Sequence, residues 1–137
     1  MTVSAVGINK VYDGSTAASV SLSDDRVAGD VFTDSYTAAT YADKNVGSGK
    51  TISVSGISIA GADAGNYSFN SSASTSADIT PKSLTVTATG INKVYDGSTA
   101  ATVTLSDNRV SGDVFADSYT TASFSNKNVG SGKSVSV

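Results

Sequence analysis

Chemistry in this chain must come from Asp, Asn, Lys, Arg, Tyr and hydroxyl groups, because His, Cys, Glu and Gln are absent. That removes the usual imidazole base, the thiol nucleophile and the common zinc ligands. All twelve acids are Asp, and Asp, Asn and backbone oxygens suit calcium. Asp24, Asp25 and Asp30 form one candidate calcium cluster, and Asp63 with Asn66 forms another. Neither follows an EF-hand or a nonapeptide pattern. An Asp pair is also the minimum needed for a glycosidase dyad. However, these Asp residues sit beside Gly, Ser and Asn, where turn formation accounts for them. The expectation is a chain that is not an enzyme and needs no cofactor.

Three further patterns invite chemistry and are better read as architecture. Gly47-Ser48-Gly49-Lys50 lacks the spacing of a phosphate loop and its strand–loop–helix context, so it reads as a turn. An intramolecular Lys–Asn isopeptide bond needs both partners packed with a protonated acid. Asn9-Lys10 and Lys44-Asn45 are sequence neighbours, which a strand directs to opposite faces. The triplets beginning at Asn66 and Asn70 fit an N-glycosylation acceptor, a short and unspecific pattern.

One stretch organises the chain. Gly7-Ile8-Asn9-Lys10-Val11-Tyr12-Asp13-Gly14 returns unaltered as Gly90–Gly97, 83 residues later. Aligning Thr2–Val54 on Thr85–Val137 gives 39 identities in 53 positions without a gap. Such a period marks tandem units. Residues 2–84 are expected to form a complete unit, 2–54 being the repeated part and 55–84 a connector. Residues 85–137 form a second, truncated unit. The motif itself reads as a strand closed by a tight turn, with Lys10, Tyr12, Asp13 and Gly14, and Lys93, Tyr95, Asp96 and Gly97, as its structural residues. Lys and Asp are near enough to pair, Tyr brings an apolar face, and both glycines are expected at positive φ.

The longer order is more specific. Lys-Val-Tyr-Asp-Gly-Ser-Thr-Ala-Ala is followed by Lys44–Lys50, by Gly61–Tyr67 and by Ile79-Thr80-Pro81-Lys82. This order resembles the YDG/MBG-type repeats of very large bacterial surface proteins, over the whole chain. The resemblance implies a stalk or spacer module of an adhesin or exoprotein outside the cell. It implies neighbouring repeats as partners, and host or matrix glycans or proteins met through other domains. It brings no catalytic residues.

The elements that must hold these residues follow from composition. Ser and Thr make 41 of 137 residues, and this alphabet favours strands and turns over helices. The pattern reads as an all-β, elongated tandem array of β-sandwiches of Ig-like size. The alternative is a β-grasp-like unit with one short helix near Asp24–Ala28. Gly7 is expected to break the first strand, Thr51–Ile59 to bulge near Gly56, and Asn70–Ser76 to form a loop or weakly specified edge. The truncated copy lacks the apolar positions of the connector, so connector strands are expected to be shared between copies, with Ala77–Ala88 as the bridge. A net charge of −3 supplies no basic patch for nucleic acid. No apolar run reaches the roughly 20 residues of a membrane helix. Met1 precedes strand-like sequence and reads as the start of a fragment.

Overall fold

The computed structural model describes all residues, Met1–Val137. The protein is all-β, and its one helical element is a single 3-10 turn, Ala64–Asn66. It divides into two units, Met1–Lys82 and Ser83–Val137, close to the boundary the repeat implies.

The first unit contains β1 (Val3–Ile8), β2 (Lys10–Val11), β3 (Ser19–Asp24), β4 (Thr33–Ser35), β5 (Ala38–Tyr41), β6 (Gly47–Ser55), β7 (Ser58–Ala60) and β8 (Ser72–Thr80). Strands β1 and β3 pair antiparallel, as do β4 and β7. The largest sheet runs β2-β8-β6-β5, with β2 parallel to β8 and the other neighbours antiparallel. Side chains alternate faces along a strand, and the buried set obeys that period. Ala39 and Tyr41 of β5, Ile52 and Val54 of β6, and Ala77 and Ile79 of β8 line one face of this sheet. Val3 and Val20, from β1 and β3, join the same cluster from the other side. Each fully buried aliphatic side chain contributes about 1.5–3 kcal/mol relative to exposure. Ile52 and Ile79, fully buried, are the largest of these.

Several details depart from the sequence reading. Gly7 does not interrupt the first strand; β1 runs through it to Ile8. Its role is close approach: a Cβ there would stand 2.5 Å from the Ser76 carbonyl oxygen and 2.9 Å from the Ala77 Cβ. Gly56, at φ 68°, is not a bulge within one strand. It ends β6 and redirects the chain into β7, which belongs to a different ladder, and so Ile52, Val54 and Ile57 are all buried. The register shift lies instead between Gly47 and Lys50, a stretch that is strand and not a turn. Asn70–Ser76 is mostly strand as well, because β8 is held along its length by β6. No helix forms near Asp24–Ala28; Asp24 ends β3, and a turn closes with the Asp30 N–H on the Val27 carbonyl. Gly14 and Gly97 both lie at φ 79°, as expected.

The strand-sharing expectation fails. The ladder partners of β7 and β8 are β4, β6 and β2, all in the first unit. The run Ala77–Ala88 is no continuous bridge: β8 ends at Thr80 and the next strand begins at Val86. The connector completes the copy that precedes it.

The second unit contains β9 (Val86–Gly90), β10 (Val103–Asp107), β11 (Ser123–Phe124) and β12 (Val135–Ser136). Every pair of the β9–β10 and β11–β12 ladders matches a pair of β1–β3 and β5–β6 at an offset of 83 residues, the second-unit ladders being the shorter. Counterparts of β2 and β4 do not form strands, although Lys93-Val94 repeats Lys10-Val11. The ladder partners of β2 and β4 in the first unit, β8 and β7, have no equivalents in the second. The consequence is exposure: Val86 is 45% exposed where Val3 is 1%, and Phe115 is 43% where Phe32 is 5%.

Replacing Gly7 by Ala is expected to destabilise the first unit by about 1–3 kcal/mol, since rigid backbone must move to admit one methyl group. Denaturant unfolding monitored by circular dichroism measures this, and an unchanged midpoint would contradict the close-approach role.

Candidate functional site

The repeated motif builds a lysine-centred turn. Lys10 Nζ donates to Asp13 Oδ1 at 2.8 Å, to the Ser15 carbonyl at 2.8 Å and to the Ala17 carbonyl at 2.9 Å. Asp13 Oδ1 also accepts from the Ser15 N–H and hydroxyl, each at 2.9 Å. This reversal needs a residue at positive φ between Asp13 and Ser15, which Gly14 supplies. The ammonium lies 5.5 Å from the centre of the Tyr41 ring, within cation–π range. The hydrogen bond from Lys10, followed by those from Ser15, lowers the Asp13 pKa to about 2. The second unit repeats the arrangement: Lys93 binds Asp96 at 2.9 Å and the Ser98 carbonyl at 3.0 Å, and Asp96 is likewise lowered to about 2. Phe124 there takes the place of Tyr41, 5.6 Å from Lys93 Nζ. Tyr12 packs against the core, and its N–H donates to the Thr80 carbonyl at 2.8 Å; Tyr95 is 58% exposed.

A second polar cluster escaped the sequence reading. The Arg26 guanidinium stacks on the Phe32 ring, 3.8 Å from its centre, donates through Nε to Asp24 Oδ1 at 2.8 Å, and stands 3.8 Å from Asp34 Oδ2. Its hydrogen bonds hold the Asp24 carboxyl far below the usual range. Burial, reinforced by the neighbouring Asp24, raises that of Asp34, whose Oδ1 is buried without a partner. Arg109 repeats the clamp with Asp107, Asp117 and Phe115. The signal was present, in that Asp-x-Arg recurs in both copies, but the stacking partner lies six residues on. A third set also went unread: Asp78 of the connector receives the Gly49 N–H on its Oδ1 at 2.7 Å and gives its own N–H to Asn9 Oδ1 at 2.8 Å.

The candidate calcium residues are not assembled into a cage. Asp24 is bound to Arg26, and Asp25 Oδ1 accepts the Thr2 N–H at 2.7 Å. Asp30 accepts the Tyr67 hydroxyl, while Asp63 Oδ2 accepts the Val31 N–H at 2.8 Å. Asn66 closes the 3-10 turn through its N–H to the Asp63 carbonyl. No group of three or more acids is placed to hold a metal ion. This corrects the two-cluster expectation: of the first candidate set, Asp24 is neutralised by Arg26 while Asp25 and Asp30 take other partners, and the second set closes a turn. Lys10 and Asn9 also bind different partners, so they form no isopeptide site. An aromatic platform for a ligand needs exposed rings; Tyr41 is 3% exposed, with its hydroxyl donating to the Ile8 carbonyl at 3.0 Å. Tyr36 is half-buried, its oxygen 3.4 Å from the Val20 N–H. Tyr119 is 40% exposed.

A family model described as YDG domain matches residues 1–77 and again 80–137. The chain belongs to the YDG domain family. No curated protein and no solved structure matched. In the YDG domain described here, the Tyr12-Asp13-Gly14 tripeptide has a division of labour: Tyr packs, Asp neutralises Lys10, and Gly turns the chain.

The pH dependence follows in sign from Asp13 and Asp96. Their folded pKa values near 2 lie below the ordinary 3.8. The stability they contribute is therefore fully present above about pH 4 and is lost as pH falls through about 2. The unfolding midpoint is expected to drop over that window, and to drop less in the Asp13→Asn, Asp96→Asn double variant. Identical acid profiles for the two proteins would contradict the lysine-centred turn.

Proposed function

We propose that this YDG domain protein is a non-catalytic spacer: a stalk repeat of a bacterial cell-surface or secreted adhesin, holding a distal binding domain away from its anchor. The observation that carries this reading is where the repeated polar residues point. Lys10, Asp13 and Ser15, and Arg26 and Asp24, bond to one another and to local carbonyls, and the second copy does the same. Residues repeated for a ligand would leave most donors and acceptors open, whereas these close on one another, Asp34 Oδ1 being the exception beside them. The matching ladder register of the two copies supports the same conclusion, since a spacer requires one geometry many times over. In such an array, stability is approximately a sum over units and their junctions. The reading includes an extracellular location, no cofactor, neighbouring repeats as partners, and neither nucleic-acid binding nor membrane insertion. No helix is long and apolar enough to cross a membrane.

The competing reading, weak glycan or protein binding multiplied by avidity, would use Tyr36 and Tyr41 or their counterparts Tyr119 and Phe124, of which Tyr119 is the exposed one. A glycan array and a pull-down from matrix extract, both with the 137-residue chain, separate the two. The spacer reading expects no saturable ligand, and a specific ligand abolished by Tyr119→Ala would replace it.

A further inference from the structure

Two dipeptides in this chain carry a backbone liability. Of the twelve Asp residues, only Asp13 and Asp96 precede glycine, and no Asn does. An Asp-Gly bond is open to ring closure. The Gly nitrogen bonds to the Asp Cγ, a Cγ–O bond breaks, and the amide proton leaves with the carboxyl hydroxyl as water. Water then adds back to the succinimide. Entry at the main-chain carbonyl leaves the peptide running through Cβ and Cγ as isoaspartate, with composition unchanged. Glycine permits the attack because no side chain shields its nitrogen.

The turn cannot dispense with this pair. Gly14 and Gly97 both lie at φ 79°, where a residue with a Cβ is strained. Burial gives no protection either, since the Asp13 and Asp96 side chains are each 54% exposed. What remains is hydrogen bonding. Asp13 Oδ1 is held by Lys10 Nζ, the Ser15 N–H and the Ser15 hydroxyl. Asp96 Oδ1 is held by Lys93 Nζ and the same two groups of Ser98. Each donor favours the ionised carboxylate, which has no hydroxyl to lose. The same bonds fix the rotation of the carboxylate by tying it to the residue beyond the glycine.

We propose that Asp13-Gly14 and Asp96-Gly97 are sites of isoaspartate formation that Lys10 and Lys93 hold in the unmodified form. The lysine has two roles: it closes the turn, and it keeps the carboxyl ionised. Its hydrogen bond is the first cause of the lowering of both Asp pKa values from 3.8 to about 2. The neutral acid that reacts becomes scarcer by about tenfold for each unit of lowering. Isoaspartate at either position would lengthen the backbone inside the turn and displace the carboxylate from its lysine. The modification, once made, opens the turn that had suppressed it. The inference does not rest on the spacer reading, because it concerns the chemistry of the turn and not what the array is for.

The test ages the 137-residue chain at mildly acidic pH and physiological temperature, both folded and in guanidinium chloride. Isoaspartate at each site is quantified by electron-transfer mass spectrometry of a digest. At both sites the folded chain is expected to react more slowly than the unfolded one, by about tenfold or more. Lys10→Met is expected to raise the rate at Asp13 toward the unfolded value and to leave Asp96 unchanged. Lys93→Met is expected to do the reverse, and it serves as the second variant where Lys10→Met does not fold. Equal rates in the folded and unfolded chain would overturn the proposal. So would a folded variant whose own Asp stays protected, or one in which both sites accelerate together.

Discussion

The structure depends on β8 lying between two neighbours at once. Along most of its length it pairs with β6, and at its end it also gives β2 a parallel partner. It delivers Ala77 and Ile79 into the core beneath β1, and Gly7 exists so that β1 can cross it closely. Burying sheet faces against each other is what makes a β domain of this size stable, because isolated two-stranded ladders are marginal in water. A repeat deprived of that strand keeps its locally closed hairpins and turns. It loses β2, whose partner was β8, as it loses β4, whose partner was β7, and with them the cover over its apolar face.

The two copies amount to an internal control on what local sequence can decide. Gly7–Ala18 and Gly90–Ala101 are identical, yet Lys10-Val11 is strand and Lys93-Val94 is not. Propensity and immediate neighbours are the same, so the partner strand makes the difference. This is the sense in which β propensity describes fit to a pleated, half-buried surface more than a backbone preference. By contrast, features closed within a few residues are equal in both copies. The lysine-centred turn, the positive φ of Gly14 and Gly97, and the Arg–Asp clamp need no strand from elsewhere.

That contrast also marks how much was legible beforehand. The repeat, the all-β class, the Lys–Asp pairing and the glycine conformations follow from short-range chemistry, and the sequence displays them. Gly7 looked like a strand breaker because its reason lies near Ser76, almost seventy residues away. Asn70–Ser76 looked like a loop because Ala, Thr and Ser alternate with little hydrophobic contrast; its strand character comes from β6. The acidic clusters resembled cation ligands until Arg26 was placed against Asp24 and the Tyr67 hydroxyl against Asp30. In each case the missing information was a long-range contact, which periodicity and turn chemistry do not encode.

The central claim is that β8 is what turns Lys10-Val11 into strand in the first unit, while the identical Lys93-Val94 of the second has no such partner. Amide hydrogen exchange at Tyr12 and Tyr95 tests it most directly, because the flanking residues are identical and intrinsic exchange is therefore matched. The Tyr12 N–H donates to Thr80 of β8, and Tyr95 has no such strand opposite it. The account predicts exchange at Tyr12 slower by about a hundredfold or more, the span separating core ladders from frayed segments. Equal rates at the two amides would contradict it.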